Sequence, residues 1–353
     1  MLYFAQKLPC PMTAQVLSDA NAVRTRAPLD DWDLYIPRYG GRFSRDMSAL
    51  LPSRTDQWIA GIPGTWRMTN KAALWSGLCR IAGRERAGQL TPESWRLDWE
   101  ADRALLIAQH EPGQTYILKN PKLQRRTGLQ LTRDLDAMLT ASESGFTIAQ
   151  RVLPDLQLIA GHRYNLRLYL LLIRRDGQLG VWLNRRGRCV CTPEPFTGDL
   201  MVESAVITRS ASSDGLAPGL PFTLSDVLMS LPDPQATLAR LDSVLSRIVL
   251  VMLTGLEGDW SLSTNPAYQL LGVDATVSES GTVRVIEMNS GPDLRPHCER
   301  DRALKYRMVR DIFEHVDLLA ATGPPGFRHL RTFPDQATVG DSTRGRTSTS
   351  RPS

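Results

Sequence analysis

The strongest hydrophobic pattern in the chain covers residues 163–173, where polar and apolar positions alternate before a run of leucine and isoleucine. Side chains on a strand point to its two faces in turn, so one face is apolar and the other carries Arg163, Asn165 and Arg167. The apolar run predicts a central strand, with its polar face lining a cleft. Two arginines in one cleft are costly to desolvate unless an anion meets them, so we expect a polyphosphate or a carboxylate there.

A second pattern, over residues 269–277 and 283–289, predicts a β-hairpin whose second strand ends on Glu287 and Asn289. These two side chains are two residues apart and therefore share a face. If residues 279–282 form a four-residue loop, Asp274 lies directly opposite Glu287. Two carboxylates and an amide oxygen suit Mg²⁺ bound to nucleotide phosphates. A salt bridge from either carboxylate to a neighbouring arginine is the alternative, and these residues alone leave both open.

Periodicity and turn residues predict an alternation of strands and helices elsewhere. We expect a loop or insert at 209–234, which is rich in Ser, Gly, Pro and Asp. The predicted helices cover 72–81, 234–253 and 301–319, and the further predicted strands cover 115–119, 146–153 and 179–184.

Lys119 ends the strand at 115–119 and precedes a basic loop that contains one glycine, Gly128. A lysine in this position can hold phosphates while backbone N–H groups of the loop cover them. A solvated lysine at a strand end is the alternative, so this feature is weak by itself.

Composition indicates an ordinary globular chain, with 353 residues of which 42% are hydrophobic. We expect an N-terminal lobe at 1–85, a central lobe at 86–155, a C-terminal lobe at 156–322 and a disordered basic Ser/Thr/Arg tail at 323–353. The net charge of +5 favours anionic partners but names none, and it is too small to predict nucleic-acid binding.

Cysteine and histidine spacing indicates neither a disulfide framework nor a zinc site. Cys189 and Cys191 are therefore interpreted as ordinary strand residues. The N-terminus has no signal-peptide pattern, and the apolar stretch at 248–253 is too short to span a bilayer. We expect a cytoplasmic monomer that does not bind membranes.

The order of these motifs resembles that of the tubulin–tyrosine-ligase-like branch of the ATP-grasp superfamily, from about residue 62 to 316. The strand that begins at Gly161 is similar to the family's Gly-x-Lys-Phe-Asp-x-Arg strand. Ile62-Pro63-Gly64 with Lys71 is similar to its N-terminal Pro-Gly … Lys segment. The most specific block, similar to Gly-x-Asp … Glu-x-Asn-x-x-Pro … Lys, comprises Gly272, Asp274, Glu287, Asn289, Pro292 and Lys305.

This resemblance implies an α/β (α+β) ATP-grasp fold, with mixed and antiparallel sheets, flanking helices and a nucleotide cleft between the central and C-terminal lobes. It implies an ATP- and Mg²⁺-dependent ligase that joins an amino acid to a peptide or protein. In such ligases ATP phosphorylates a carboxylate, and an amine then attacks the acyl-phosphate.

The resemblance also implies residue roles. Arg167, which would face the γ-phosphate, and Glu287 are the expected catalytic residues. The expected Mg²⁺ ligands are Asp274, Glu287 and Asn289. The expected nucleotide-binding residues are Lys71 and Lys119 at the phosphates, Gln150, Arg151, Val152 and Leu153 at the adenine, Arg163 and Asn165 at the ribose or phosphates, and Thr208.

Several positions depart from the family pattern. Asn165 stands where Asp is usual, and Arg163 replaces a Lys, which is not a neutral change. Val190 falls near the position of a substrate-handling arginine, for which Arg188 on the same strand face is a substitute. The basic loop has a single glycine where two are usual, and Thr208-Arg209 replaces Thr-Asn. These departures keep two other functions open, a nucleotide-binding scaffold or regulator without ligase activity and an ATP-dependent phosphotransferase.

Overall fold

A computed structural model describes residues 1–25, 32–37, 54–69, 71–121, 123, 128–208, 219–254 and 265–334. The strands are β1 (Leu2–Ala5), β2 (Val23–Thr25), β3 (Leu34–Ile36), β4 (Trp58–Ile59), β5 (Ser94–Arg96), β6 (Tyr116–Lys119), β7 (Leu129–Thr132), β8 (Ile148–Arg151), β9 (Leu158–Ile159), β10 (His162–Arg175), β11 (Gln178–Asn184), β12 (Arg188–Cys191), β13 (Ala267–Val277), β14 (Val283–Asn289) and β15 (Phe327–Pro334). The α-helices are α1 (Pro11–Asp19), α2 (Trp66–Thr69), α3 (Lys71–Ala82), α4 (Arg84–Leu90), α5 (Glu100–Gln109), α6 (Leu135–Thr140), α7 (Glu203–Val206), α8 (Leu224–Ser230), α9 (Pro234–Thr254) and α10 (Glu299–His315).

Most of the described strands form one large mixed sheet, in the order β15-β11-β10-β13-β4-β3-β1-β2. Strands β9 and β12 also pair with β10, and β14 pairs with β13. The N-terminal strands pair in parallel, and β4 joins them to β13. The strands from β10 onward pair antiparallel. This is the mixed α/β architecture with flanking helices that the sequence predicts, and it is consistent with an ATP-grasp-like fold.

Strand β10 lies between β11 and β13 and is buried on both faces over much of its length. Leu166, Leu168 and Leu170 pack into a core beneath α3 and α9, where each buried leucine contributes about 2 kcal/mol. Tyr169 and Leu171 point the other way, into a second core beneath α1 and α10. The predicted alternation and central position are confirmed. The polar segment 163–167 therefore shares its face with this second core.

The second sheet is smaller and has the order β5-β8-β6-β7. Trp95, Tyr116, Leu118 and Ala149 lie on one face, in a core that includes Leu106 of α5 and Met138 of α6. In the register Gln150 pairs with Ile117, two residues before Lys119 in the same strand. Lys119 and Gln150 therefore lie together on the opposite face of this sheet.

The sequence places the boundaries of most long elements within two or three residues, as for α3, α9 and the β13–β14 hairpin. Helix α10 is shorter than predicted at its C-terminal end, because it ends at His315. Strands of the predicted N-terminal and C-terminal lobes share the large sheet, while the predicted central lobe contains the whole small sheet. The lobe boundaries stay predictions.

Two segments expected to be irregular contain regular structure. The prediction of a disordered tail from residue 323 is wrong for Phe327–Pro334, which forms strand β15 at the edge of the large sheet. Phe327 and Phe333 are both buried there, and this burial offsets the cost of ordering the strand. Residues 335–353 lie outside the described residues.

The predicted insert at 209–234 contains helix α8, so the expectation of a loop is wrong for that part. The helix begins with a capping box, in which Thr223 and Asp226 satisfy each other's backbone N–H groups. Residues 209–218 lie outside the described part of the chain. Within the described part, no helix has both the length and the apolar character needed to cross a membrane.

Candidate functional site

The β13–β14 hairpin brings Asp274 directly opposite Glu287, as the sequence predicts. The assumed four-residue loop at 279–282 is wrong, because β13 ends at Val277 and the connection to β14 therefore begins at Ser278. The longer connection shifts the pairing by one residue, so that Ala275 lies opposite Val285. A β-bulge between Asp274 and Ala275 then leaves Ile286 without a direct partner, and this restores the pairing of Asp274 with Glu287. Asp274 and Glu287, here called the carboxylate pair, therefore share one face of the sheet.

Arg167 on β10 lies opposite Asp274 in the β10–β13 register. Its guanidinium forms a bidentate ion pair with Asp274, in which Nε donates to Oδ1 and Nη2 donates to Oδ2 at 2.8 Å. The salt bridge that the sequence left open is therefore present. Burial by itself would lower the pKa of Arg167, but the charge and hydrogen bonds of Asp274 raise it, so this arginine is always charged.

The two members of the carboxylate pair affect each other's protonation. Burial raises the pKa of Asp274, and the neighbouring Glu287 raises it further, while Arg167 opposes both effects. Asn289 donates its Nδ2–H to Glu287 Oε1 at 3.2 Å, and its own amide oxygen is not used in that bond. Crowded carboxylates beside an amide oxygen fit a hard divalent cation such as Mg²⁺.

The described residues contain no group of three or more His, Cys, Asp or Glu that could hold a metal. The candidate set is smaller, with the carboxylate pair and Asn289. Mg²⁺ commonly takes only one or two carboxylates from the protein and fills its remaining positions with phosphate oxygens and water. The set is therefore suited to a metal that arrives with a nucleotide.

Arg163 begins the polar face of β10 and is almost fully buried, with 3% of its surface exposed. Its Nη2 donates to the carbonyl oxygen of Leu153, which follows strand β8 of the small sheet. The structure therefore brings together two predicted nucleotide-binding residues, one associated with each sheet. Among the residues that the structure describes, neither Nε nor Nη1 of Arg163 has a hydrogen-bond partner. Burial lowers the pKa of Arg163 to about 10, with a small opposing effect of Asp155.

Asn165 lies between the two arginines on the same strand face, and its Nδ2 donates to Thr208 Oγ1 at 2.9 Å. Two further predicted nucleotide-binding residues are thus in contact. The amide leaves a neutral oxygen acceptor where a carboxylate is usual in the family.

The small sheet supplies Lys119 and Gln150 on one face, where both side chains are buried. Gln150 donates to Ser94 Oγ at 3.0 Å.

Arg151 belongs to the other face and lies near Glu93 at 3.7 Å and Glu111 at 3.5 Å, so its side chain is used in surface ion pairs. The buried Val152 continues the chain, with its N–H bonded to Thr115 O. The side chain of Lys71 lies outside the described residues.

Arg188 pairs with Arg167 in the β10–β12 register, and Val190 pairs with Asn165. The predicted shared face is confirmed. Arg188 is buried and forms an ion pair with Asp301 at 3.1 Å, and the same carboxylate binds Lys305 at 2.9 Å. Asp301 therefore fixes two cations on this side of the sheet.

Sequence reasoning missed Gln269, which connects two of the motifs. Its Nε2 donates to Ser290 O at 2.7 Å, just after the Glu-x-Asn segment, and its Oε1 accepts from the N–H of Ile62 at 3.4 Å. The N-terminal Pro-Gly segment and the hairpin are thereby held together. A buried glutamine in an apolar strand is the only sequence signal of this contact.

The glycine of the Gly-x-Asp motif also has a packing role. A Cβ atom at Gly272 would lie 2.8 Å from Cβ of Pro292, which is closer than real carbon atoms approach. Glycine at this position therefore lets the segment after Asn289 fold back over β13. This explains in part why glycine and proline occur together in the motif.

Comparison with known proteins agrees with these observations. The sequence model of the tubulin-tyrosine ligase family matches residues 49–208 and 235–325. A relative described as probable tubulin polyglutamylase ttll-9, from Caenorhabditis elegans, is 20% identical over 169 residues, which cover 46% of this chain and 40% of that protein. The chain is thus similar to less than half of that relative's length. Because the family match covers most of the chain, the protein belongs to the tubulin-tyrosine ligase family.

Proposed function

We propose that the protein is an ATP- and Mg²⁺-dependent ligase that adds an amino acid to a peptide or protein through an acyl-phosphate. The observation that carries this proposal is the carboxylate pair, Asp274 and Glu287, which face each other beside Asn289 while Arg167 forms a bidentate bond with Asp274. Two carboxylates and an amide oxygen on one face of a sheet form an oxygen-rich set of the kind that binds Mg²⁺.

In this proposal Asp274, Glu287 and Asn289 hold Mg²⁺. The metal would neutralise charge on the nucleotide phosphates when it is bound. Arg167 lies on the neighbouring strand beside the carboxylate pair, and in this proposal its guanidinium would stabilise charge on the phosphoryl group. Such transfers depend mainly on positioning and electrostatics, so a rigid, bidentate arginine is well suited to the task.

The nucleotide would lie along the polar face of β10. Arg163 offers two buried donor nitrogens, Nε and Nη1, for phosphate oxygens, and Asn165 offers a neutral acceptor for a ribose hydroxyl. Lys119 and Lys71 would add positive charge at the phosphates, and residues 150–153 would meet the adenine. These roles stay predictions for each residue.

The substrates that we propose are an amino acid and a peptide or protein acceptor. The relative's name makes glutamate the first donor to test and tubulin the first acceptor. The cytoplasmic location and monomeric state expected from the sequence also stay predictions.

The test is ATP turnover against a panel of amino acids and peptides, with wild type compared with Glu287→Gln. Glu279→Gln is the matched control, because Glu279 lies in the same hairpin but is exposed in its connection. We expect ADP release that requires one amino acid, a mass increase of the peptide by that amino acid, loss of both in Glu287→Gln and retention of both in Glu279→Gln.

The other outcomes identify the alternatives. Tight Mg·ATP binding without turnover would indicate a nucleotide-binding regulator, which the neutral Asn165 favours. A phosphorylated acceptor would indicate a phosphotransferase. No ATP binding would refute the site itself.

A further inference from the structure

Arg163 is buried, but only part of its guanidinium donates hydrogen bonds. Only Nη2 has a partner, the carbonyl oxygen of Leu153, and the buried Nε and Nη1 have none within the described residues. A buried charged donor without a partner is costly, so its persistence indicates a ligand at that edge of the guanidinium.

The same guanidinium also lies over an aromatic ring. Arg163 Cζ lies 5.1 Å from the ring centroid of Phe196. A cation–π contact of this kind attracts the guanidinium and restricts its movement without supplying a conventional hydrogen-bond acceptor. The ring and the Leu153 carbonyl together therefore orient Arg163, while the two unpaired nitrogens, Nε and Nη1, stay available to donate to an anion.

Phe196 is itself held by backbone bonds at residues 192–196, here called the Phe196 loop. Its N–H donates to Gly161 O at 2.8 Å, and the N–H of Thr192 donates to Arg163 O at 2.8 Å. His162 Nδ1 lies 2.9 Å from Thr192 O. The loop is thus bonded to the three residues that begin the polar strand, and the ring's position does not depend on side-chain packing alone.

We propose that Phe196 is a positioning residue, which holds the Arg163 guanidinium so that its Nε and Nη1 donate to a phosphate group of the bound nucleotide. This inference rests on the proposed function, and it adds a residue to which neither the sequence motifs nor the family comparison assigns a role. Phe196 does not touch the phosphate. It acts by restricting the side-chain conformations of Arg163 before the nucleotide binds.

The test measures binding of Mg·ATP and of adenosine by calorimetry to wild type, Phe196→Leu and Phe196→Tyr. We expect Phe196→Leu to weaken Mg·ATP about tenfold. Adenosine, which lacks phosphates, should bind within about twofold of wild type, and Phe196→Tyr, which keeps the ring, should restore the affinity for Mg·ATP. Phe196→Met serves as a second variant without a ring if Phe196→Leu does not fold.

Two controls separate positioning from general structure. Phe333→Leu removes the ring from a similar pair, in which Arg331 Cζ lies 5.5 Å from the Phe333 centroid at the edge of the large sheet, and it should not change nucleotide binding. In an Arg163→Gln background, Phe196→Leu should cause no further loss, because its effect acts through that arginine.

Equal weakening of Mg·ATP and adenosine would overturn the inference, as would a full effect of Phe196→Leu in the Arg163→Gln background. Unchanged Mg·ATP affinity in Phe196→Leu would overturn it while leaving the proposed function intact. Wild type that binds no Mg·ATP would refute the proposed function and this inference together.

Discussion

Replacing Arg167 with methionine tests how much the ion pair between Arg167 and Asp274 contributes to stability. Methionine keeps an apolar stem but leaves Asp274 facing Glu287 without its cation. Loss of one partner from a buried ion pair costs about 3–5 kcal/mol. Arg167 and Asp274 keep 28% and 14% side-chain exposure, so solvent screens part of the effect. We therefore expect the lower end, a loss of about 3 kcal/mol in the free energy of unfolding at neutral pH.

The loss should depend on pH in a definite direction. Because burial and Glu287 raise the pKa of Asp274 above its ordinary value of 3.8, the folded chain binds this proton more readily than the unfolded chain. Stability contributed by this group is therefore present at low pH and falls as pH rises through the raised pKa. Removal of Arg167 removes the opposing effect and raises this pKa further. The stability deficit of Arg167→Met should be largest at neutral pH and shrink on acidification.

Urea unfolding of wild type and Arg167→Met, at about pH 7 and about pH 5, measures this deficit directly. Arg175→Met is the matched control, because Arg175 lies on the same strand but is 54% exposed, forms ion pairs with exposed aspartates and makes a long contact of 5.9 Å with the ring centroid of Trp58. Its substitution should cost less than about 1 kcal/mol at either pH. A deficit in Arg167→Met that is the same at both pH values would refute the reasoning.

Two further substitutions test packing around the site, both by urea unfolding. Gly272→Ala should cost about 2 kcal/mol, because the added Cβ would lie 2.8 Å from Pro292, whereas Gly291→Ala meets nothing within 4 Å and should be neutral. Lys305→Met should cost about 3 kcal/mol, because it removes a buried cation from its aspartate, whereas Arg302→Met, on the same helix but 46% exposed, should cost less than about 1 kcal/mol. Equal losses within either pair would contradict the packing described for that pair.

Local periodicity predicted the faces of β10 correctly, because alternation along a strand is set by backbone geometry within a few residues. The partner of Asp274 was harder to predict. Arg167 is 107 residues away in sequence, and their contact depends on the register between β10 and β13. No pattern within one strand specifies its register against a distant strand, so the sequence left metal site and salt bridge as alternatives.

The pairing of Asp274 with Glu287 was predicted correctly, although the connection of the hairpin was not. The predicted pairing of Asp274 with Glu287 assumed a regular ladder, and the structure reaches it through an earlier connection and a bulge at Ile286. A bulge adds one residue to one strand and needs no special residue type, so it leaves no sequence signal. Phe196 was missed for a similar reason. An aromatic residue in a proline-rich loop gives no indication of the buried arginine that it contacts.

The two alternatives for the carboxylate pair are compatible. A carboxylate has about four lone-pair positions, and the bidentate bond from Arg167 uses one on each oxygen of Asp274. A metal ion can therefore join the cluster without displacing the arginine. An ionised pair repels polyphosphate more strongly than a neutralised one, and a divalent cation would add two positive charges to the cluster. Under the proposed function, these residues would attract nucleotide phosphates only together with the metal, and Arg167 would stay beside the site with or without it.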